Sequence, residues 1–327
     1  MRARSRQLER VEAERVQRVV DAFGRPLTHL RVSVTDRCNL RCVYCHMEGG
    51  WGQCGSREMA PGDIERLVSL FARAGVRFLK LTGGEPTLRQ DIVEIVRRTA
   101  PLVEEVSMTT NGSRLEVLAQ ELKGAGLRRV NISLDTIDPA SFARITSNPI
   151  PRGIMKGIER AQGAGLGPIK LNMVVLKGEN DGRIWDMVRF AKEKGLMLQL
   201  IELHVPREMV DGETFGSMYY PLDSVEKELK DRSRKVELAA MHGRKRYHLR
   251  EGGVVEVVRP MFNPGFCARC YRVRITSDGK LRPCLMRDDG LVDLLTPMQN
   301  GASDARMMKI ITDSVRARRP YWDSSRK

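Results

Sequence analysis

The sequence predicts an α/β fold: a partial (β/α)6 barrel of TIM type, open on one side, followed by a smaller C-terminal α+β module. Three observations carry this reading. Short apolar runs alternate with helix-length amphipathic segments from Leu30 to about Pro206. The alternation yields six units, where a closed barrel needs eight. Small and polar residues gather at the C-terminal end of each predicted strand, the end at which barrels and open α/β sheets alike hold their active sites.

Taken in order, residues 1–22 read as a basic, solvated arm. Strands are predicted over residues 30–34, 77–81, 105–108, 129–134, 169–175 and 197–201. Helices are predicted over 62–74, 92–99, 114–123, 152–164 and 183–194, and right-handed crossovers make the strands parallel. The strand ends carry the cysteine loop, then Thr82-Gly83-Gly84-Glu85-Pro86, Thr109-Thr110-Asn111-Gly112, Asn131 with Ser133 and Asp135, Lys170 with Asn172, and Glu202 with His204. Lys80 and Lys170 are placed near the C-terminal ends of their strands, where a buried ammonium needs an anion and a phosphate is the simplest one. Beyond Pro206 the alternation stops. Residues 209–220 look loop-like, 222–232 helical, and 236–240, 246–250 and 254–259 suit antiparallel strands. The division is therefore an arm at 1–22, a barrel at 23–205 and a C-terminal module at 206–327.

At 327 residues, 41% hydrophobic and 30% charged, the chain is globular in composition. It has no apolar run of bilayer length and no secretory h-region near its N-terminus, so a cytoplasmic location without a membrane partner is expected. Six of its seven cysteines fall in two tight clusters, which suits metal binding in a reducing compartment; Cys54 is the bystander. The net charge of +15 raises a nucleic-acid reading, but residues 1–20 and 301–327 supply seven of those charges and the rest are spread along the chain.

Cys38, Cys42 and Cys45 follow the first strand in the run Thr35-Asp36-Arg37-Cys38-Asn39-Leu40-Arg41-Cys42-Val43-Tyr44-Cys45. Three thiolates fill three corners of a four-iron cluster that needs four ligands, leaving one iron open. Zinc with His46 as fourth ligand is the competing reading. Near the other end, Cys267 and Cys270 form a C-x2-C, and an Asp278-Gly279 hairpin returns Cys284 beside them. A zinc ribbon would want a second cysteine pair, whereas a second cluster with an open iron fits three thiols. Arg272 and Arg274 alternate onto one face of that hairpin, where guanidinium groups suit phosphate or simply solvate the strand.

The first motif resembles the C-x3-C-x2-C signature of radical S-adenosylmethionine (SAM) enzymes. With both triads and Gly-Gly-Glu-Pro between them, the sequence resembles the GTP 3',8-cyclases, the molybdenum cofactor biosynthesis protein A family, from Phe23 through Cys284. That resemblance implies a radical SAM core and a lyase reaction: a deoxyadenosyl radical takes hydrogen from the ribose C3' of GTP, and the C3' radical attacks guanine C8. The product is 3',8-cyclo-7,8-dihydro-GTP, in the first step of molybdopterin synthesis. It further implies two 4Fe-4S clusters, on Cys38, Cys42 and Cys45 and on Cys267, Cys270 and Cys284, with SAM bound at the first. Tyr44, Gly84, Ser133 and His204 fall at SAM-side positions, the family commonly carrying Met in place of His204 and Asn in place of Tyr271. Arg31, Lys80, Thr109, Lys170, Arg272 and Arg274 fall at GTP positions, the last two also as catalytic residues. The implied partners are GTP, SAM, an electron donor without an assigned identity and a downstream cyclic pyranopterin monophosphate synthase, with homodimerisation open and no nucleic acid. Many members end in a Gly-Gly tail, in place of which this sequence ends Trp322-Asp323-Ser324-Ser325-Arg326-Lys327. Two readings compete: a radical SAM peptide-modifying enzyme with an auxiliary cluster, and a zinc-stabilised nucleic-acid-binding protein.

Overall fold

The computed structural model describes residues 18–45, 58–150, 153–287 and 289–323. His46, Cys54, most of the basic arm and the residues after Asp323 lie outside the described residues. Twelve strands form one sheet: β1 (His29–Ser33), β2 (Phe78–Thr82), β3 (Glu105–Thr110), β4 (Arg129–Ser133), β5 (Lys170–Val175), β6 (Met197–Glu202), β7 (Ser233–Leu238), β8 (Lys245–Leu249), β9 (Val254–Val258), β10 (Arg272–Ile275), β11 (Lys280–Arg282) and β12 (Val292–Asp293). Their spatial order is β12-β11-β10-β1-β2-β3-β4-β5-β6-β9-β8-β7.

The six expected strands run in parallel and in sequence order, each within two residues of its expected ends. The sheet then continues at both edges. β10 adds parallel to β1 and β9 adds parallel to β6, although β9 is also antiparallel to β8 as expected. The last third of the chain thus supplies both flanks of the barrel's open side, and apolar residues from β9, β10 and β11 join the same core as those of β1–β6. Among the described residues no helix is long and apolar enough to cross a membrane.

Helices α1 (Pro61–Arg73), α2 (Ile92–Thr99), α3 (Leu115–Ala125), α4 (Pro139–Thr146), α5 (Ile154–Gly163) and α6 (Ile184–Glu193) make the crossovers. They cover the outer face, where Leu30, Val32, Leu79, Leu81, Val130, Ile132, Leu171 and Leu198 are buried. Each such side chain contributes about 1.5–3 kcal/mol on removal from water. Of these helices α4 was not expected. Its signal was present, since Asp138 caps it by accepting from the Ser141 N–H at 2.9 Å and Pro139 occupies its first position, but the eight residues are too few for a clear period. Beyond β6 come α7 (Glu213–Met218), inside the stretch expected to be loop, then α8 (Asp223–Asp231), α9 (Pro264–Ala268), α10 (Leu295–Gln299) and α11 (Asp304–Arg316).

Because successive strand residues point to opposite faces, burying the apolar set under helices turns the other set into the barrel's lumen. That set is largely polar: His29 and Arg31, Lys80, Glu105 with Ser107 and Thr109, Arg129, which Glu105 pairs at 2.7 Å, Asn131 and Ser133, Lys170 and Asn172, Gln199, Glu256, Arg272 and Arg274, with apolar members such as Phe78 and Met197 among them.

Candidate active site

The upper rim of the lumen carries the first cysteine loop. Its backbone is tied to three neighbours: Gly84 N–H donates to the Thr35 carbonyl at 2.7 Å, Glu85 N–H to Arg37 at 2.8 Å, and the N–H groups of Arg41 and Val43 to Thr146 and Ile145 at 2.9 Å each. The two glycines are required by this approach, since a Cβ on Gly83 would lie 2.3 Å from the Thr35 oxygen and one on Gly84 2.3 Å from the Arg37 oxygen. Glu85 is fully buried and accepts from Thr110 Oγ1 at 2.7 Å and the Asn111 N–H at 2.6 Å. Asn111 in turn donates to the Asn39 side chain at 2.8 Å, so the Gly-Gly-Glu-Pro turn, the end of β3 and the cysteine loop form one assembly.

Cys38, Cys42 and Cys45 lie within electrostatic reach of one another on this loop, Cys38 and Cys45 exposed. Burial pushes the Cys38 and Cys42 thiols above their ordinary range, so a cation is needed to hold them as thiolates, which a cluster that binds thiolate provides. Tyr44 hydrogen-bonds Asp135 at 2.6 Å, and Asp135 also accepts from the Val174 N–H at 2.8 Å. Burial raises Asp135 to about 6 against the Tyr44 bond. Ser133 ends β4 two residues away, and His204 follows β6 with its Nδ1 3.5 Å from the Glu202 carbonyl.

The second triad lies at the opposite end of the β1–β10 pair, before β10 begins, where the Thr28 and His29 N–H groups donate to the Tyr271 carbonyl at 3.1 and 3.0 Å. Cys267 lies on α9, Cys270 follows it, and the β10–β11 hairpin brings Cys284 within reach of both. Burial raises Cys284 to about 11 and Cys267 in the same direction, so this donor set also calls for a thiolate-binding cation. Cys267 Sγ accepts from the Trp322 N–H at 3.4 Å. Tyr44 from the first loop and Cys284 from the second both pack on the cluster of Ile145, Leu176, Leu203, Cys267, Tyr321 and Trp322. Among the described residues no three His, Cys, Asp or Glu side chains close to the spacing of a single metal ion. Beneath the triad, Asp21 is buried and binds Arg25 Nε at 2.8 Å and Arg318 Nε at 2.6 Å. Arg25 donates to the Cys267 carbonyl at 3.0 Å, and Arg318 to that of Arg272 at 3.1 Å.

Below the rim the lumen is basic. Strand register places Arg282, Arg274, Arg31, Lys80, Ser107 and Arg129 in one row across β11, β10, β1, β2, β3 and β4, so five of six adjacent lumen positions are cations. Lys80 is pushed well below its ordinary range by burial and then by Arg129, Arg31, Arg272 and Lys170; Arg272 is lowered by burial, Arg31 and Arg274. His29 falls to about 3 through burial and the Arg272 charge, and is neutral here. Lys170, lowered by burial to about 8, opens β5 where it was expected near the strand's C-terminal end. Lys80 stands mid-strand. The cations therefore occupy the lumen between the two triads; Lys170 is second in its expected strand as well, and β5 ends at the expected Val175, so its place at the base of the strand follows from the strand bounds themselves.

The anion beside Lys170 is a protein carboxylate. Glu256 lies 3.0 Å from Lys170 Nζ, 2.9 Å from Arg244 Nη1 and 2.6 Å from Arg246 Nε, and also accepts from Gln199. Burial raises it, but Arg244, Lys170 and the Arg246 hydrogen bond bring it down to about 2. The structure thus brings Arg31, Lys80, Lys170, Arg272 and Arg274 to one electrostatic basin, while Thr109 sits in β3 beside Asn131. Sequence reasoning missed Arg129, Arg244, Glu256 and Arg282. The Arg244-Lys245-Arg246 run was the available signal, but which of its members faces the lumen depends on register.

Residues 32–191 match the Radical SAM superfamily, and residues 196–324 match Molybdenum Cofactor Synthesis C. A probable GTP 3',8-cyclase of Pyrococcus horikoshii is 50% identical over 94% of this chain and 99% of its own length. The corresponding protein of Methanothermobacter thermautotrophicus is 41% identical over 93% of this chain and 99% of its own length. In fold the chain is similar to Streptococcus suis SuiB bound to precursor peptide SuiA, with a TM-score of 0.62 at 16% identity over 96% of this chain and 71% of that one.

Proposed function

We propose, for a chain that belongs to the GTP 3',8-cyclase family of the radical SAM superfamily, the following division of labour in the first step of molybdenum cofactor biosynthesis. A 4Fe-4S cluster held by Cys38, Cys42 and Cys45 supplies, with SAM, the one-electron chemistry that removes the ribose C3' hydrogen of GTP. Tyr44, Gly84, Ser133 and His204 surround SAM at the rim. Cys267, Cys270 and Cys284 would hold a second 4Fe-4S cluster, whose open iron would offer a coordination site to the substrate. Arg31, Lys80, Thr109, Lys170, Arg272 and Arg274 bind GTP, Arg272 and Arg274 also steering the closing ring.

The observation that carries the substrate assignment is the row of five cations across six strands. Lys80, lowered by burial and by the cations around it, is relieved by a polyanion, and guanidinium forks match phosphate oxygens. A nucleoside triphosphate anchored there lies between the two triads, with its ribose on the side of the first and its base on the side of the second. Fixing both nucleotides at near-contact distance is the protein's main contribution to rate. Neutral His29 can donate or accept a hydrogen bond in the basin without adding to its charge.

The six cysteines among the described residues are free, which suits a reducing cytoplasm, and the product passes to a cyclic pyranopterin monophosphate synthase. Reconstituted, reduced protein given SAM and GTP should yield 5'-deoxyadenosine together with the pterin product. Arg272→Ala and Arg274→Ala should abolish GTP binding while SAM cleavage persists. Unchanged GTP affinity in both variants would remove the basis for the GTP assignment.

A further inference from the structure

The β7–β8 hairpin belongs to the edge of the sheet farthest from β10, yet its tip touches the segment that leads into β10. The tip closes on itself through the Ala239 N–H donating to the Arg244 carbonyl at 2.8 Å. It then docks on the second cysteine loop: His242 N–H donates to the Arg269 carbonyl at 2.9 Å, Arg272 Nη2 lies 3.1 Å from Met241 Sδ, and the His242 ring stacks on Phe266 at 3.9 Å. His242 takes a φ of +65°, a conformation that costs a non-glycine residue about 1–2 kcal/mol. The hairpin therefore spans the barrel's open side, in a conformation that its docking must hold.

Arg244 ends that tip. Its Nη1 pairs with Glu256, while its buried Nε has no hydrogen-bond partner among the described residues. Its charge is felt by Arg272, His29, His242 and Lys170, residues of both flanks of the opening. Arg246, two residues on in β8 and paired with the same carboxylate, acts on Lys170 and Arg244. Among the described residues Glu256 is the carboxylate paired with Lys170, Arg244 and Arg246, which leaves cationic surplus and the unmet Arg244 Nε in the basin.

We infer that Arg244, carried across the open side of the barrel by the β7–β8 hairpin and oriented by Glu256, contacts the phosphate chain of the nucleotide substrate and sets the preference for a triphosphate over a monophosphate. This rests on the GTP assignment above. The test is equilibrium binding of GTP and of GMP to the reconstituted holoenzyme without SAM, for the wild type, Arg244→Gln and Arg246→Gln. Arg244→Gln should weaken GTP binding on the order of 10- to 100-fold and GMP binding far less, so that the GTP-to-GMP ratio collapses. Arg246→Gln, which disturbs the same Glu256 anchor, should stay within about threefold of wild type for both, as expected of a charge–charge contact that does not reach the ligand. GTP affinity unchanged in Arg244→Gln, an equal loss in Arg246→Gln, or an equal loss for GTP and GMP would each overturn the inference. A wild type that binds no GTP would instead overturn the assignment on which it rests.

Discussion

The two cysteine triads offer the same three thiols and are held by opposite means. Backbone hydrogen bonds and a glycine pair crowded against two carbonyls hold the first, and two of its thiols stand exposed. Buried charge holds the second: Asp21 grips Arg25 and Arg318, which reach up to the carbonyls of Cys267 and Arg272. Backbone pairing leaves the mouth of a loop open to a cosubstrate that must enter and leave. A buried ion network fixes a site whose ligands need not move, at the cost of depending on every member.

That contrast can be broken from either side. The largest effect is expected at Asp21. Removing one partner of a buried ion network leaves the others uncompensated, so Asp21→Ala should cost about 3–5 kcal/mol in urea unfolding. After anaerobic reconstitution the variant should retain about four irons of the roughly eight that two clusters hold, and should still bind SAM. Gly84→Ala is the mirror image. Its Cβ must displace backbone at Arg37 and Asp36, a strain of about 1–3 kcal/mol, and the irons lost should be those of the first triad, together with SAM cleavage. Equal iron loss from both triads in either variant would show that the two sites share one support.

Legibility in the sequence follows the same division. The first triad is local, three residues of one loop with their glycine partner at the end of the next strand, and the βα alternation marked both places. Cys267, Cys270 and Cys284 were equally readable, because a hairpin turn closes them. What surrounds the second triad was not. Asp21 and Arg318 meet across 297 residues, and nothing near either one announces the other. Arg31 and Lys80 came from resemblance, but Arg129 and Arg282 complete their row only once register aligns six strands. Arg244 required the further knowledge that a hairpin at one edge of the sheet reaches the other. Short-range pattern thus gives ligands and turns, whereas charge networks belong to tertiary register.

The smallest expected effect sharpens the comparison at Lys170, which lies in the basin between the two triads. Burial lowers its folded pKa from 10.5 to about 8 despite Glu256. Between those values the unfolded chain binds a proton that the ligand-free fold does not, so the contribution of Lys170 to stability rises with pH across that window. For GTP the sign is reversed. A phosphate chain favours the ammonium form, so binding above pH 8 must draw in a proton, and affinity should fall about tenfold between pH 7 and pH 9. Calorimetry at pH 8.5 in two buffers of different ionisation enthalpy should register that uptake. Lys170→Arg, permanently charged, should flatten the pH profile and abolish the uptake. SAM binding at the first triad should show neither effect, because no basin cation contributes to the shifts of Cys38 and Cys42. A SAM affinity that tracks the GTP profile would mean that the rim and the basin titrate as one site.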